Sequence, residues 1–237
     1  VPTHEMRDRL HALGFRDLSI VGRGIDTQLF SPQKRSAELR RSWHCENDTL
    51  VALYVGRIAA EKNLRLFVEA VRAAKRSRPD LCVVIVGDGP MGKRLRAENP
   101  DFHFAGMRTG EDLAAYYASA DLFVFPSLSE TFGNVTMEAL ASGLAVVAFD
   151  YAAAREHIVH GHNGLVAARE DESAFCKHVL RLAGSKQDVH RLRQLARQTA
   201  ERLSWGRVFD DLERSLLKFA TPASDAATDC ARAVAMD

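Results

Sequence analysis

Four charged side chains, Arg57, Lys62, Glu130 and Glu138, have the types and positions to handle a phosphorylated sugar carrier. Arg57 and Lys62 lie in Gly56-Arg57-Ile58-Ala59-Ala60-Glu61-Lys62-Asn63, directly after the apolar run ending at Val55. A guanidinium fork binds two oxygens and an ammonium acts as a point charge, so this pair beside a helix start suits a diphosphate. Gly56 lets a ligand approach the backbone, and Asn63 is placed to cap the next helix. Taken alone, the same residues also describe a solvated loop with ordinary surface charge.

The second segment runs from Pro126 through Ser127, Ser129, Glu130, Phe132, Gly133, Asn134, Val135 and Thr136 to Glu138. Asn134 reads as an N-cap, with Glu138 in the first turn or so of the helix. Backbone N–H groups from Gly133 to Thr136 would then accept an anion. A carboxylate at Glu138 can accept both hydroxyls of a ribose. Glu130 can hydrogen-bond a sugar or stabilise positive charge at its anomeric carbon. The plainer readings are a helix-dipole contribution of about 0.3–1 kcal/mol for Glu138 and an exposed loop acid for Glu130. A polar loop ending a wholly apolar strand must face a cavity, which favours the functional reading.

The elements that would position these loops follow from the apolar pattern. Runs at 50–55, 81–86, 121–125 and 144–149 are almost wholly apolar, as strands of a parallel sheet covered on both faces are; 102–105 is a shorter candidate. Helical spacing fills 63–76, 91–98, 110–118 and 134–142; in the first, Leu64, Phe67, Val68 and Val71 share a face. This alternation predicts an α/β, doubly wound parallel sheet, Rossmann-like, with right-handed crossovers. Ligands of such sheets sit outside the carboxyl ends of the strands. Here those ends are Gly56-Arg57, Gly87-Asp88-Gly89-Pro90, Ala105-Gly106-Met107, Pro126-Ser127 and Asp150-Tyr151. Residues 18–22 read as a further strand and 34–43 as a short helix. Helices are predicted at 171–183, 188–203 and 206–219, the last with Val208, Leu212, Leu216 and Phe219 on one stripe. The domain reading is an interdomain segment at 1–17, a nucleotide-sugar-binding domain at 18–205, a crossover helix at 206–220 and a disordered tail at 221–237.

The chain has 237 residues, 46% apolar and 27% charged, enough for one sizeable core. A net charge of +1 gives no global basic field, so nucleic acid is not an expected partner. Cys45, Cys82, Cys176 and Cys230 make no paired metal or redox spacing, and reduced thiols point to the cytoplasm. No run is apolar and long enough to span a bilayer, and no secretory signal pattern opens the chain. The opening Val1-Pro2-Thr3, without an initiator Met, is expected of a segment from within a longer protein.

At these residues the sequence resembles the family-four retaining glycosyltransferases of GT-B architecture. The family carries two glutamates separated by seven residues with Phe-Gly between them, matched by Glu130, Phe132-Gly133 and Glu138. It carries Gly-Arg then Glu-Lys-Asn, matched by Gly56-Arg57 and Glu61-Lys62-Asn63. Gly-Asp-Gly-Pro at 87–90, and Asn163-Gly164-Leu165 after Glu156, match as well. The resemblance spans roughly residues 18–220. It implies the C-terminal, donor-binding half of a GT-B enzyme. Arg57 and Lys62 would hold the donor diphosphate, Glu138 the ribose, and Glu130 the donor sugar near its reacting carbon. Backbone around Gly56, Gly87, Phe132, Gly133, Asn134 and Val135 would contact the sugar and phosphates, with Met107 and Arg108 near the base. Arg23-Gly24-Ile25-Asp26 and Phe30-Ser31-Pro32 resemble the passage from acceptor to donor domain.

By that resemblance the expected function is retaining transfer of a hexosyl group, mannosyl by preference, to a lipid or glycan acceptor. GDP-mannose is the favoured donor and a UDP-sugar the alternative. Catalysis would rest on Glu130, Arg57 and Lys62. No Asp-X-Asp pair appears, so no metal is required by the sequence and basic side chains take its place. The missing partner would be an N-terminal acceptor domain, through which the protein would touch the inner face of a membrane; without it the chain is expected to turn over nothing.

Four rival readings come from the same sequence. Gly87-Asp88-Gly89-Pro90-Met91-Gly92 is formally G-x-G-x-x-G, a fingerprint of a nicotinamide-dependent oxidoreductase, with Glu111 and Asp112 following. However, Pro90 removes an N–H where a pyrophosphate needs donors. His157, His160 and His162 cluster without an obvious Cys or acid to complete a zinc set. The stripe at 206–219 could bind a partner or membrane, although core packing is the simpler expectation. A non-catalytic nucleotide-sugar-binding module also fits the sequence.

Overall fold

A computed structural model describes residues 1–46, 48–130 and 132–220. Six strands are present among them: β1 (Val51–Val55), β2 (Cys82–Val86), β3 (His103–Gly106), β4 (Leu122–Phe125), β5 (Ala145–Phe149) and β6 (Leu165–Ala167). The helices are α1 (His4–Ala12), α2 (Ala37–Ser42), α3 (Leu64–Ser77), α4 (Gly92–Glu98), α5 (Gly110–Ser119), α6 (Asn134–Ala141), α7 (Ala152–His157), α8 (Glu172–Gly184), α9 (Lys186–Glu201) and α10 (Trp205–Ala220).

The chain divides into two compact units, Ile25–Ser204 and Val1–Gly24 with Trp205–Asp237. The larger unit holds a single parallel sheet in the order β3-β2-β1-β4-β5-β6. From β1 the chain winds outward through β2 to β3, then returns past β1 and winds the other way through β4, β5 and β6. The reversal falls between β1 and β4, where Leu53 pairs with Phe123. Loops leaving the carboxyl ends of these two strands diverge to opposite faces, which opens a crevice.

Strands β1, β2, β4 and β5 are buried along their whole length because helices cover both faces. Helix α3 shows how a helix pays its way into that core: Leu64, Leu66, Phe67, Ala70, Val71 and Ala74 are buried, and the charged residues face outward. Truncating the fully buried Phe67 to Ala would cost about 3–5 kcal/mol. Before β4, Asp121 ties the sheet to its surroundings, accepting from the Val51 N–H at 2.9 Å and pairing with Arg35, Arg40 and Arg193.

In the smaller unit, Thr3 caps α1 by accepting the Met6 N–H at 3.1 Å, and no residue of α1 is buried. Trp205 and Phe209 stack at 5.8 Å on α10. No helix among the described residues is long and apolar enough to cross a membrane.

Several expectations are corrected. Residues 18–22 form no strand; they bond to Val1, which accepts from the Val21 N–H at 2.9 Å and donates its ammonium to the Ser19 carbonyl at 2.8 Å, too short a partner for a ladder. The predicted helix at 34–43 is a 3₁₀ turn, Pro32–Lys34, followed by α2, because Ser36 starts a new helix by accepting from Leu39 N–H. The α10 stripe is not core: Leu212 is 37% and Leu216 59% exposed. Short elements α1, α7 and β6 were not anticipated. Residues 221–237, read as a tail, lie outside the described residues.

Candidate functional site

At the carboxyl end of β1, Tyr54 is fully buried and its hydroxyl donates to the Arg57 carbonyl at 3.0 Å. That bond pins the turn and leaves the Arg57 side chain 67% exposed, with Glu61 at 3.4 Å. A 3₁₀ turn over Ala60–Lys62 then carries Lys62 toward β4. Asn63 does not cap α3 with its side chain; it takes a left-handed backbone (φ 51°) that redirects the chain from the turn into the helix.

Lys62 Nζ donates to Glu130 Oε1 at 2.5 Å and to the Ser129 carbonyl at 2.7 Å. The buried Ser127 hydroxyl donates to the same Glu130 oxygen at 2.7 Å, and Tyr151 Oη donates to the Glu130 carbonyl at 3.2 Å. The loops after β1 and β4 are therefore clasped by an ion pair across the crevice, with both side chains only 16% and 15% exposed. An ion pair in such surroundings is stronger than one in water but costs desolvation.

Helix α6 starts at Asn134, with Gly133 rather than Asn134 in the N-cap position. Gly133 holds φ 84°, and a Cβ there would lie 3.1 Å from the Ala153 Cβ. Glycine is needed because the loop must reverse under α7. The Thr136 N–H bonds to the Gly133 carbonyl at 2.9 Å, so Thr136 drops out of the anion-binding amides anticipated from the sequence. The Phe132 carbonyl accepts from the Ala153 N–H at 3.0 Å.

One turn into α6, Glu138 Oε2 accepts from Tyr117 Oη at 2.9 Å. Burial raises the Glu138 pKa, and the Tyr117 hydrogen bond pulls it back down. The Tyr117 hydroxyl is pushed well above its ordinary range, first by burial and then by Glu138, with Tyr54 and Glu130 adding to the effect. Tyr54 is raised too, by burial, then by the negative charges of Glu130 and Glu61. The charge of Glu130 thus reaches both tyrosines, and Glu138 and Tyr117 act on each other.

On the β2 side of Arg57 lies a cavity of about 470 Å³ lined by Gly56, Arg57, Gly87, Asp88, Met107 and Arg108, among others. Five of the predicted residues thus meet there. Lys62, Glu130 and Glu138 do not line it; Arg57 and its Tyr54 anchor connect the two parts. Met107 is 71% exposed at the rim. Arg108 lies over the Tyr116 ring at 5.5 Å, and its buried Nε has no hydrogen-bond partner. The cavity's volume and mixed lining suit a planar base.

The glycines of 87–92 serve packing. A Cβ on Gly87 would lie 2.0 Å from the Gly56 carbonyl oxygen, so the β1 and β2 loops touch backbone to backbone. The amides of Gly87, Met91 and Gly92 bond to Gly106, Ile58 and Gly89 carbonyls. A dinucleotide pyrophosphate would find those donors taken. Asn163 is buried and bonded to Val159, His157 and Thr199, a loop-locking role and not a ligand contact. Among the described residues no group of three or more His, Cys, Asp or Glu could hold a metal, His157, His160 and His162 included.

Tyr54 and Tyr117 were not singled out from the sequence, where the first sits in an apolar run and the second in a predicted helix, and Ser127 was read only as part of the loop after the strand. A buried tyrosine hydroxyl needs a partner, and that was the available signal.

The model of the glycosyl transferases of group 1 matches residues 49–185. A GDP-mannose-dependent alpha-mannosyltransferase of Corynebacterium glutamicum is 39% identical over 165 residues, covering 70% of this chain and 39% of that protein. One of the same name from Mycobacterium tuberculosis is 37% identical, covering 89% of this chain and 54% of that protein. The chain thus spans about half or less of the length of these relatives. Among solved structures, Anabaena HepE in complex with UDP and glucose superposes with a TM-score of 0.75 at 22% identity, covering 92% of this chain and 62% of that one.

Proposed function

From the premise that this chain belongs to the glycosyl transferases of group 1, we propose that it binds the nucleoside-diphosphate sugar in a retaining hexosyl transfer, with GDP-mannose as donor. The observation that carries this reading is the Lys62–Glu130 clasp at 2.5 Å across the β1/β4 switch point, with Arg57 exposed beside it. The donor choice is supported by relatives named for GDP-mannose; UDP, present in the HepE complex, is the alternative.

In this reading the base enters the cavity bounded by Met107 and Arg108, with Gly56 and Gly87 giving backbone access. The ribose hydroxyls donate to Glu138, whose carboxylate Tyr117 orients. Arg57 and Lys62 bind the diphosphate together with the amides of Gly133, Asn134 and Val135. Diphosphate arrival between Lys62 and Glu130 exchanges one partner of Lys62 for another. That frees the Glu130 carboxylate to face the sugar and stabilise the positive charge developing at its anomeric carbon as the C–O bond breaks. Lys62 and Arg57 neutralise the departing diphosphate. The acceptor, a lipid or glycan, and its activation belong to a second domain facing this one, and the 237 residues by themselves bind donor without transferring sugar.

Calorimetric titration with GDP, UDP, GDP-mannose and UDP-glucose tests this. The proposal expects GDP compounds to bind more tightly and Arg57→Ala and Glu138→Ala to weaken them. Equal, variant-insensitive binding of all four would overturn it, and sugar transfer by the isolated chain would overturn its last clause.

A further inference from the structure

At the opposite edge of the sheet, just before β1 and β4, arginines gather on one buried carboxylate. Asp121, 5% exposed, pairs with Arg193 at 2.6 Å, Arg35 at 3.0 Å and Arg40 at 3.4 Å. Arg35 also donates to the Ala118 and Ala120 carbonyls, and Arg193 to the Gly143 carbonyl. Carbonyl dipoles orient these groups but cancel no net charge, and Arg35 and Arg193 share the one carboxylate of Asp121. Burial and the neighbouring Arg35 and Arg40 lower the Arg193 pKa, which registers the same imbalance. Buried charge is tolerated when an opposite charge completes it.

A cavity of about 300 Å³ opens on this cluster, lined by Arg35, Asp121 and Arg193 and walled by Arg78, Lys186 and His190. The other acid on its lining, Asp48, is 91% exposed and pairs with Lys186 at 3.1 Å. Asp80 lies 3.5 Å from Arg78. A second cavity of about 610 Å³ shares His190 and Arg193 and adds polar side chains, Gln194 and Gln198 among them. The pair therefore offers a cationic socket for an anion beside a polar trough for whatever carries it.

We propose that this socket binds a phosphate group, free or as the monoester of a small polar molecule, at a site separate from the β1/β4 crevice. Guanidinium forks from Arg35 and Arg193 meet a tetrahedral oxyanion with two donors each, and Lys186 supplies a point charge at the mouth. Nothing in this assignment depends on which nucleotide the crevice takes.

The test is titration of the chain with inorganic phosphate and with glucose 6-phosphate at constant ionic strength, followed by calorimetry. The parent chain is compared with Lys186→Glu and Arg57→Ala, and a denaturation curve confirms that each variant is folded. Lys186 is exposed, so its replacement leaves the core intact. The expected pattern is at least about threefold weaker phosphate binding in Lys186→Glu than in the parent chain, from reversing one charge at the mouth, with Arg57→Ala still binding phosphate at the socket. Tighter binding of the monoester, similarly lost in Lys186→Glu, would place its body in the larger cavity. Loss in Arg57→Ala with Lys186→Glu unaffected would put the phosphate in the crevice and overturn the proposal. Equal affinities in all three chains, or no binding, would overturn it too.

Discussion

Replacing Tyr117 with Phe removes one oxygen from a fully buried ring and takes the 2.9 Å donor from Glu138 Oε2. A hydrogen bond to a charged group contributes about 1.5–3 kcal/mol, equivalent to roughly 10–100-fold in a dissociation constant. The bond is present without nucleotide too, so if Glu138 holds the ribose this range is the upper bound on the loss of GDP affinity. The pH dependence separates this from a packing defect. Burial already raises the Glu138 pKa and the Tyr117 bond lowers it, so Tyr117→Phe moves it further up. Protonated Glu138 loses an acceptor for the ribose, so the affinity loss should be largest at acidic pH and shrink as pH rises. Stability follows the same sign. A group whose folded pKa lies above its unfolded one contributes most at low pH and loses that contribution as pH rises through the folded value. In Tyr117→Phe this decline shifts to higher pH. Calorimetry with GDP at acidic and mildly basic pH, beside urea denaturation at the same values, reads both effects. A variant that is less stable yet binds GDP like the parent at every pH would refute the role given to Tyr117 and Glu138.

Lys62→Met removes the Nζ that bridges Glu130 and the Ser129 carbonyl; GDP binding should weaken about tenfold or more, and its dependence on salt should flatten, as titrations at two ionic strengths would register. Gly87→Ala puts a Cβ 2.0 Å from the Gly56 carbonyl oxygen, so the thermal midpoint should drop by several degrees or the chain should fail to fold, read by circular dichroism. Asp101, held near a pKa of about 2 by the Arg72 hydrogen bond and by Lys75, adds stability above its unfolded pKa that is lost as pH falls toward 2. Because it is 42% exposed, Asp101→Asn should cost less than about 1 kcal/mol at neutral pH in urea melts.

The sheet was legible because strands buried on both faces have no polar positions, and LVALYV, LCVVIV, DLFVF and LAVVAF have few or none. β6 was not, since three residues between Gly164 and Ala168 carry too little pattern to mark a strand. The false strand at 18–22 had suitable residues but meets a single residue, Val1, in place of a neighbouring strand. The placement of the loop residues was readable one by one: Arg57, Lys62, Glu130 and Glu138 all fall at the carboxyl edge of the sheet. Their mutual arrangement was not. Nothing in the spacing says that Lys62 and Glu130, 68 positions apart, form a direct pair, or that Tyr54 fastens the Arg57 backbone. Both caps read from Asn63 and Asn134 gave way to left-handed backbone at Asn63 and Gly133, where the chain turns too sharply for a side-chain cap.

The central claim is that the loops after β1 and β4 grip one nucleoside diphosphate. A crystal structure of the chain with GDP-mannose tests it most directly. The account predicts diphosphate oxygens within hydrogen-bond distance of Arg57 and Lys62, ribose hydroxyls on Glu138, and the Lys62–Glu130 contact reorganised. A nucleotide bound elsewhere, with that contact unchanged, would contradict it.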